Sequence, residues 1–199
     1  MASSRHLSPR ELGRAYFYGE GRRRDYRKAF PLLLEAAKQG HVHWQYLAGY
    51  SFYGGLGIRQ DLALARFWYG KAAKRGHPGA IFNLALMHDK GLGGKRNYRM
   101  AFKLYHQGAR AGDAAAQCNL GVAYIHGLGT KKDPAKGVFW LKKAAGRADT
   151  KAQYNLALAH LEGVGVRKNL TKAKQWLRRS ARIGHKNSIR LLKRIESKN

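Results

Sequence analysis

Acidic residues are scarce in this 199-residue sequence. Eleven Asp and Glu face 39 Lys and Arg, for a formal net charge of +28 and a pI near 10.7. So few scattered carboxylates make paired catalytic acids an unpromising reading. Such a surface repels itself and attracts anions: nucleic acid, acidic head groups or acidic proteins. Cysteine is nearly absent. Cys118 stands alone, which excludes an intramolecular disulfide and leaves stability to packing. Only four prolines occur. No run of 18 apolar residues is present, so no segment reads as a membrane span. The first 30 residues lack the apolar stretch of a secretory leader, and the compartment expected is the cytoplasm. Met1 to Arg10 carries Ser3, Ser4, Arg5, Ser8 and Arg10 without an acid, a faint likeness to an organelle transit peptide that leaves import open.

What is present is periodic. Hydrophobic residues make up 44% of the chain, enough for a core. Glycines at 40, 76, 112 and 184 fall on a 36-residue stride, with Ala148 in the missing place. The segments are 5–40, 41–76, 77–112, 113–148 and 149–184, followed by 185–199, and no insertion is needed. A G-x-G pair recurs at Gly19/Gly21, Gly55/Gly57, Gly91/Gly93, Gly127/Gly129 and Gly163/Gly165. Asp25, Asp61, Asn97, Asp133 and Asn169 form another column. Leu32, Trp68, Leu104, Trp140 and Trp176 form a third.

Each segment reads as helix–turn–helix. The first helix carries apolar residues at helical spacing, as in Ala116, Leu120, Ala123 and Tyr124. It stops at the G-x-G pair. The recurring Asp or Asn caps the second helix, and Pro134 follows Asp133 where a first helical turn tolerates proline. The three Trp are expected in the core. One hairpin cannot bury its apolar face alone, whereas stacked neighbours can. Ser8-Pro9-Arg10-Glu11 reads as a capping box that starts the first helix and explains these residues structurally. Ile189, Leu192 and Ile195 form an apolar stripe that predicts a C-terminal capping helix over 185–199.

The stretch Ala116-Gln117-Cys118-Asn119-Leu120-Gly121, with Tyr124, Gly127-Leu128-Gly129, Asp133, Trp140 and Lys143-Ala144-Ala145, resembles the Sel-one-like repeat (SLR) family. Ala152-Gln153-Tyr154-Asn155-Leu156-Ala157 through Gly163-Val164-Gly165-Val166 repeats the signature, and the likeness covers about residues 8–192. The resemblance implies an all-α fold: a right-handed α/α superhelical solenoid, akin to tetratricopeptide stacks, of five 36-residue repeats plus the capping helix, in a single domain over 5–184. It also implies an adaptor that assembles complexes, not a catalyst. Function does not follow from fold, and partners differ widely within the family. The heavy positive charge is not a family feature.

That charge is spread evenly, with a net of +4 to +6 in every segment. Arg23, Arg59, Lys95, Lys131 and Arg167 recur just after each G-x-G. A second set, Lys38, Lys74/Arg75, Arg110, Arg147 and Arg182, recurs near the end of the second helix. Stacking turns a column into a row at about 10 Å spacing, suited to a polyanion or an acidic protein face. A solubilising surface is the plain alternative, since cations favour helix C-termini.

By the resemblance, the first helices line a concave groove. Phe17, Tyr18, His43, Tyr46, Tyr50, Tyr53, Phe82, Leu86, Ile125, Tyr154 and Leu158 are then at or near it, with part of this set in the core between repeats. Such a groove suits a peptide or amphipathic helix. Aromatics flanked by arginine also suit single-stranded nucleic acid.

Nine histidines invite a metal reading. His41, His77 and His185 open repeats, while His88 and His160 replace the aromatics of Tyr16, Phe52 and Tyr124, so repeat grammar explains them. The G-x-G pairs lack a nucleotide-binding context. The expected function is a non-enzymatic interaction scaffold without a cofactor or small-molecule substrate. Its expected partner is an acidic protein or peptide held by Tyr46, Tyr50, Tyr53, Phe82, Tyr154 and the five post-glycine cations. RNA is the alternative partner, and an acidic membrane surface the least favoured.

Overall fold

The computed structural model describes residues 7–197. Ser3, Ser4 and Arg5 of the basic N-terminal stretch lie outside the described residues, as do the first two residues of the segment 5–40 and the last two of 185–199. Eleven helices and no strand occur among the described residues. They are α1 (Pro9–Tyr18), α2 (Tyr26–Lys38), α3 (Val42–Gly54), α4 (Leu62–Lys74), α5 (Pro78–Lys90), α6 (Tyr98–Arg110), α7 (Ala114–His126), α8 (Pro134–Gly146), α9 (Thr150–Glu162), α10 (Leu170–Arg182) and α11 (Lys186–Glu196). The chain divides into two compact units, Met1–Arg96 and Asn97–Asn199.

The caps fall where the columns put them. At α1, the Ser8 hydroxyl accepts the Glu11 N–H at 3.3 Å and the Glu11 carboxylate accepts the Ser8 N–H at 2.8 Å. Those Ser8 bonds hold the Glu11 carboxyl below its ordinary pKa. Asp25, Asp61, Asn97, Asp133 and Asn169 each accept the backbone N–H three residues on. The first glycine of each G-x-G ends a helix in the left-handed conformation.

The second glycine has a different cause, set between repeats. At Gly57, φ is +75° and an added Cβ would collide with the Tyr26 carbonyl at the head of α2. Gly165 stands likewise against the Pro134 carbonyl at the head of α8. At Gly21, in the first of the five repeats, a Cβ would meet nothing within 4 Å.

Other columns also bridge consecutive repeats. Phe30 and Phe52 meet edge to face at 5.2 Å, as do Phe102 and Tyr124. At the same two columns the Arg66 guanidinium donates to His88 Nδ1 at 2.6 Å, a polar pair in the aromatic place. Buried Gln45 donates to the Ala37 carbonyl, Gln117 to Ala109 and Gln153 to Ala145, each closing the end of the preceding second helix. Trp68 is buried; Trp140 and Trp176 are half-buried.

The capping helix is α11, with a stripe other than the one expected. Leu191, Leu192 and Ile195 pack against Ala157 and Leu177, whereas Ile189 is 37% exposed. Buried Ser188 replaces it: its hydroxyl donates to Ser180 at 2.9 Å, and Ser180 donates to the Thr150 carbonyl. Residues 188, 191, 192 and 195 form one helical face by the 3–4 spacing, and 189 lies off it.

Candidate functional site: an aromatic–histidine face and a basic edge

In the unit Met1–Arg96, the first helices α1, α3 and α5 share one face. Tyr46 is half-buried and stacks on His77 with ring centroids 4.3 Å apart at 16°. Tyr50 follows at 6.4 Å, stacked at 28° and 43% exposed. Tyr53, one turn further along α3, is 36% exposed. Behind them lies buried Tyr69, 5.8 Å from Tyr46. The Asn83 side chain hydrogen-bonds both Tyr46 and Tyr69. Burial pushes both phenols above their ordinary pKa, so they stay neutral. Gly49 makes room for Tyr69, since a Cβ there would lie 2.6 Å from the ring.

The histidines on this face have a defined direction. His77 caps α5: its Nδ1 accepts the Ala80 N–H at 3.3 Å. In the neutral ring the proton then sits on Nε2, which donates to His43 Nδ1 at 3.4 Å. His43 in turn holds its proton on Nε2 and donates to the Tyr18 oxygen at 3.2 Å. The chain runs from α5 through α3 to α1 and leaves the Tyr18 hydroxyl proton available to an acceptor. Burial depresses the pKa of both imidazoles, and for His77 the neighbouring His43 adds to it.

Of the remaining groove candidates in this unit, Phe82 is half-buried on α5 and Phe17 belongs to the core at 6% exposure. Arg23, Arg59 and Lys95 are all exposed. A depression of about 1050 Å³ lies between the turns of the first two repeats, lined by Arg22, Arg23, Arg24, Arg27, Lys28 and Arg59 together with Tyr16, Asp25 and Tyr26.

The unit Asn97–Asn199 carries a different first-helix face. Tyr154 is half-buried, 5.2 Å from His185, and packs on the core of α9, α10 and α11. The columns of Tyr50 and Tyr53 hold Val122 and Leu158, and Ile125 and Leu161. Val122, Ile125, Asn155 and Leu158 line a mostly apolar cavity of about 340 Å³. Cys118 is buried, and burial first, then the nearby Asp149 carboxylate, push its thiol up to about 12. Lys131 and Arg167 are exposed.

The second basic column is partly structural. Arg75 donates to the Gly40 carbonyl at 2.7 Å, and Arg147 donates to the Gly112 carbonyl. Both join the close of one repeat to the close of the next, so they are spent in holding the stack. Sequence reasoning missed the role of His77, Tyr69 and Asn83. A signal for His77 existed: it shares its column with Asp113 and Asp149, which cap α7 and α9.

No cluster of three or more His, Cys, Asp or Glu suited to a metal occurs among the described residues, and none of the described helices is long and apolar enough to cross a membrane. No curated protein sequence matches the chain. The family model described as Sel1 repeat matches residues 10–41, 45–77, 78–113, 114–149 and 150–185. A Sel1 repeat protein from Oxalobacter formigenes is 30% identical with a TM-score of 0.86, over 92% of this chain and 73% of that one. A protective antigen present in uropathogenic Escherichia coli strains, displaying an SLR fold, is 29% identical with a TM-score of 0.83; the match covers 92% of this chain and only 39% of that one. An immunity protein from Pseudomonas aeruginosa shares the fold at 19% identity and a TM-score of 0.55, over 88% of this chain and 67% of that one. Sel1 repeat proteins generally act as non-enzymatic protein-interaction scaffolds. With five tandem matches over most of its length and an all-helical α-solenoid fold, the chain belongs to the Sel1 repeat family.

Proposed function

We propose that the chain is a non-enzymatic adaptor that binds an acidic protein or peptide through the aromatic first-helix face, with the exposed cations as its rim. One observation carries this reading: Tyr46, Tyr50 and His77 form a stacked set on α3 and α5, backed by buried Tyr69 and left partly open at Tyr50 and Tyr53. Rigid aromatic anchors gain contact area with little loss of side-chain freedom. The Tyr18 hydroxyl adds a donor suited to a carbonyl or carboxylate of the bound segment. Arg23, Arg59 and Lys95 in one unit, and Lys131 and Arg167 in the other, attract an acidic partner and speed its encounter. Tyr154 and Phe82 contribute apolar surface, Tyr154 chiefly to the repeat core.

The test is affinity capture from the native organism with and without nuclease, repeated with Tyr50→Ala/Tyr53→Ala and with charge reversal of Arg59 and Lys95. A protein partner that survives nuclease and is lost in both variants is the expected result. A partner released by nuclease would replace this reading with RNA binding.

A further inference from the structure

We infer that the cleft between the first two G-x-G turns is a docking site for a phosphorylated segment of a protein. It deepens the proposed role of the basic rim and rests on that part of it, independent of the aromatic face. The cleft gathers five arginines and one lysine: Arg22, Arg23, Arg24, Arg27, Lys28 and Arg59. The single acid lining it, Asp25, is committed to capping α2, where it accepts the Lys28 N–H at 3.1 Å. Its carboxylate also lies 3.9 Å from Lys28 Nζ, so its charge is shared within the same turn.

Three of these cations, Arg22, Arg24 and Lys28, are held in place before any ligand arrives. Arg22 lies over the Tyr16 ring at 4.7 Å and Lys28 over the same ring at 5.6 Å. Arg24 lies over Tyr26 at 5.8 Å, and its Nη1 donates to the Tyr26 hydroxyl at 3.3 Å. Side chains ordered this way lose less freedom on binding. The same contacts decide between ligands. Single-stranded RNA gains affinity by stacking bases on open aromatic rings. Here the two rings that line the cleft already carry cations, so the site reads charge and has little to offer a base. A carboxylate supplies one negative charge, whereas a phosphoryl group carries up to −2 and three acceptor oxygens that match guanidinium forks. Arginine outnumbers lysine five to one in this cleft, the ratio that planar bidentate recognition favours. At about 1050 Å³ the cleft is roomy enough for more than one such group.

The experiment uses the full chain and a short fluorescein-labelled peptide carrying two phosphoserines, with an unphosphorylated copy, a copy bearing glutamates in equal total charge, and a single-stranded RNA of equal charge. Fluorescence anisotropy is expected to show the phosphopeptide binding at least about tenfold more tightly than the glutamate copy, the worth of one good charge-assisted bond. Arg23→Gln/Arg59→Gln is expected to weaken it about tenfold more. Lys186→Gln/Lys193→Gln on α11 removes the same charge and is expected to leave binding unchanged; circular dichroism verifies that both fold. Equal binding of the glutamate copy, tighter binding of the RNA, or equal losses in the two charge variants would each overturn the assignment. Tyr50→Ala/Tyr53→Ala is expected to keep the phosphopeptide while losing a protein partner, which separates failure of this site from failure of the aromatic face.

Discussion

The two units use one repeat grammar and present different chemistry from it. In Met1–Arg96 four first-helix columns hold His43, Tyr46, Tyr50 and Tyr53 on α3 and Gly79, Phe82, Leu86 and Asp89 on α5; in Asn97–Asn199 the equivalent columns hold Ala115 and Lys151, Cys118 and Tyr154, Val122 and Leu158, and Ile125 and Leu161. The small buried column barely differs, with Ala29 and Ala65 in the first unit and Ala101 and Ala173 in the second at 0–2% exposure, while the buried column of Leu33 holds Tyr69, Tyr105, Leu141 and Leu177. Selection for stacking therefore leaves these first-helix positions free, and on α3 they have filled with rings that stack on each other and on a helix-capping histidine. In the other unit, Val122, Ile125, Leu158 and Leu161 are aliphatic and half-buried. The proposed recognition face lies in the first unit, and stacking is common to both.

The largest expected effect tests the common part. Gly57→Ala in the first unit and Gly165→Ala in the second each combine a left-handed φ with collision against a carbonyl of the preceding repeat. Both are expected to lose about 3 kcal/mol or more, whereas Gly21→Ala, which meets nothing, loses only about 1–2 kcal/mol from its φ. Urea unfolding of the three variants measures this. Equal losses would mean that the second glycine serves the turn alone.

Smaller, and specific to one unit, is the asparagine column. Asn83 serves both Tyr46 and Tyr69, while Asn155 makes only a 3.7 Å contact to the Cys118 sulfur. Asn83→Ala is expected to cost about 1–2 kcal/mol and Asn155→Ala under about 1 kcal/mol. Chemical denaturation is again the measure, and a reversed order would break the comparison.

Acidification sharpens it further. His43, His77 and His88 are all held below the ordinary imidazole value of 6.5, His88 by burial and then by Arg66. In the second unit, His160 is held down in the same way, by burial first. A histidine whose folded pKa lies below its unfolded value binds a proton more readily when unfolded. Its contribution is therefore complete above 6.5 and declines as pH falls through the depressed folded values. Amide protection, measured against the intrinsic exchange rate at each pH, should fall between about pH 7 and about pH 5 in α3 and α5 more than in α7. With His43→Gln the pH dependence in α3 and α5 is expected to flatten.

The smallest effect is a gain. Ala148 is the one non-glycine with positive φ among the described residues, at 61°, in the place that Gly40, Gly76, Gly112 and Gly184 fill elsewhere. Ala148→Gly is expected to stabilise the second unit by about 0.5–1 kcal/mol, the relief of left-handed strain less the added freedom of the unfolded chain. A fall in thermal midpoint would contradict it.

The helix boundaries were legible because their determinants lie within one repeat. Asp25 and Lys28, or Gly55 and Ser51, are neighbours in sequence, and the 36-residue stride repeats the evidence. The site was only half legible. Tyr46 and Tyr50 stood out as aromatic first-helix residues, but the partners that order them come from other elements: Tyr69 from the second helix of the same repeat, His77 and Asn83 from the next. Contacts of that kind depend on how far one hairpin slides along its neighbour, which no column states. The same offset hid the carbonyl bonds of Arg75 and Arg147 and moved the α11 stripe from Ile189 to Leu191. In each case the residue type was visible and its partner was not.

The central claim is that recognition sits on the α3–α5 face, and paired truncations test it most directly. Binding of the captured partner should be compared for Tyr50→Ala/Tyr53→Ala and for Val122→Ala/Leu158→Ala, with folding checked by circular dichroism. The account predicts a loss of about tenfold or more for the tyrosine pair and little change for the aliphatic pair. Equal losses, or a loss confined to the aliphatic pair, would contradict it.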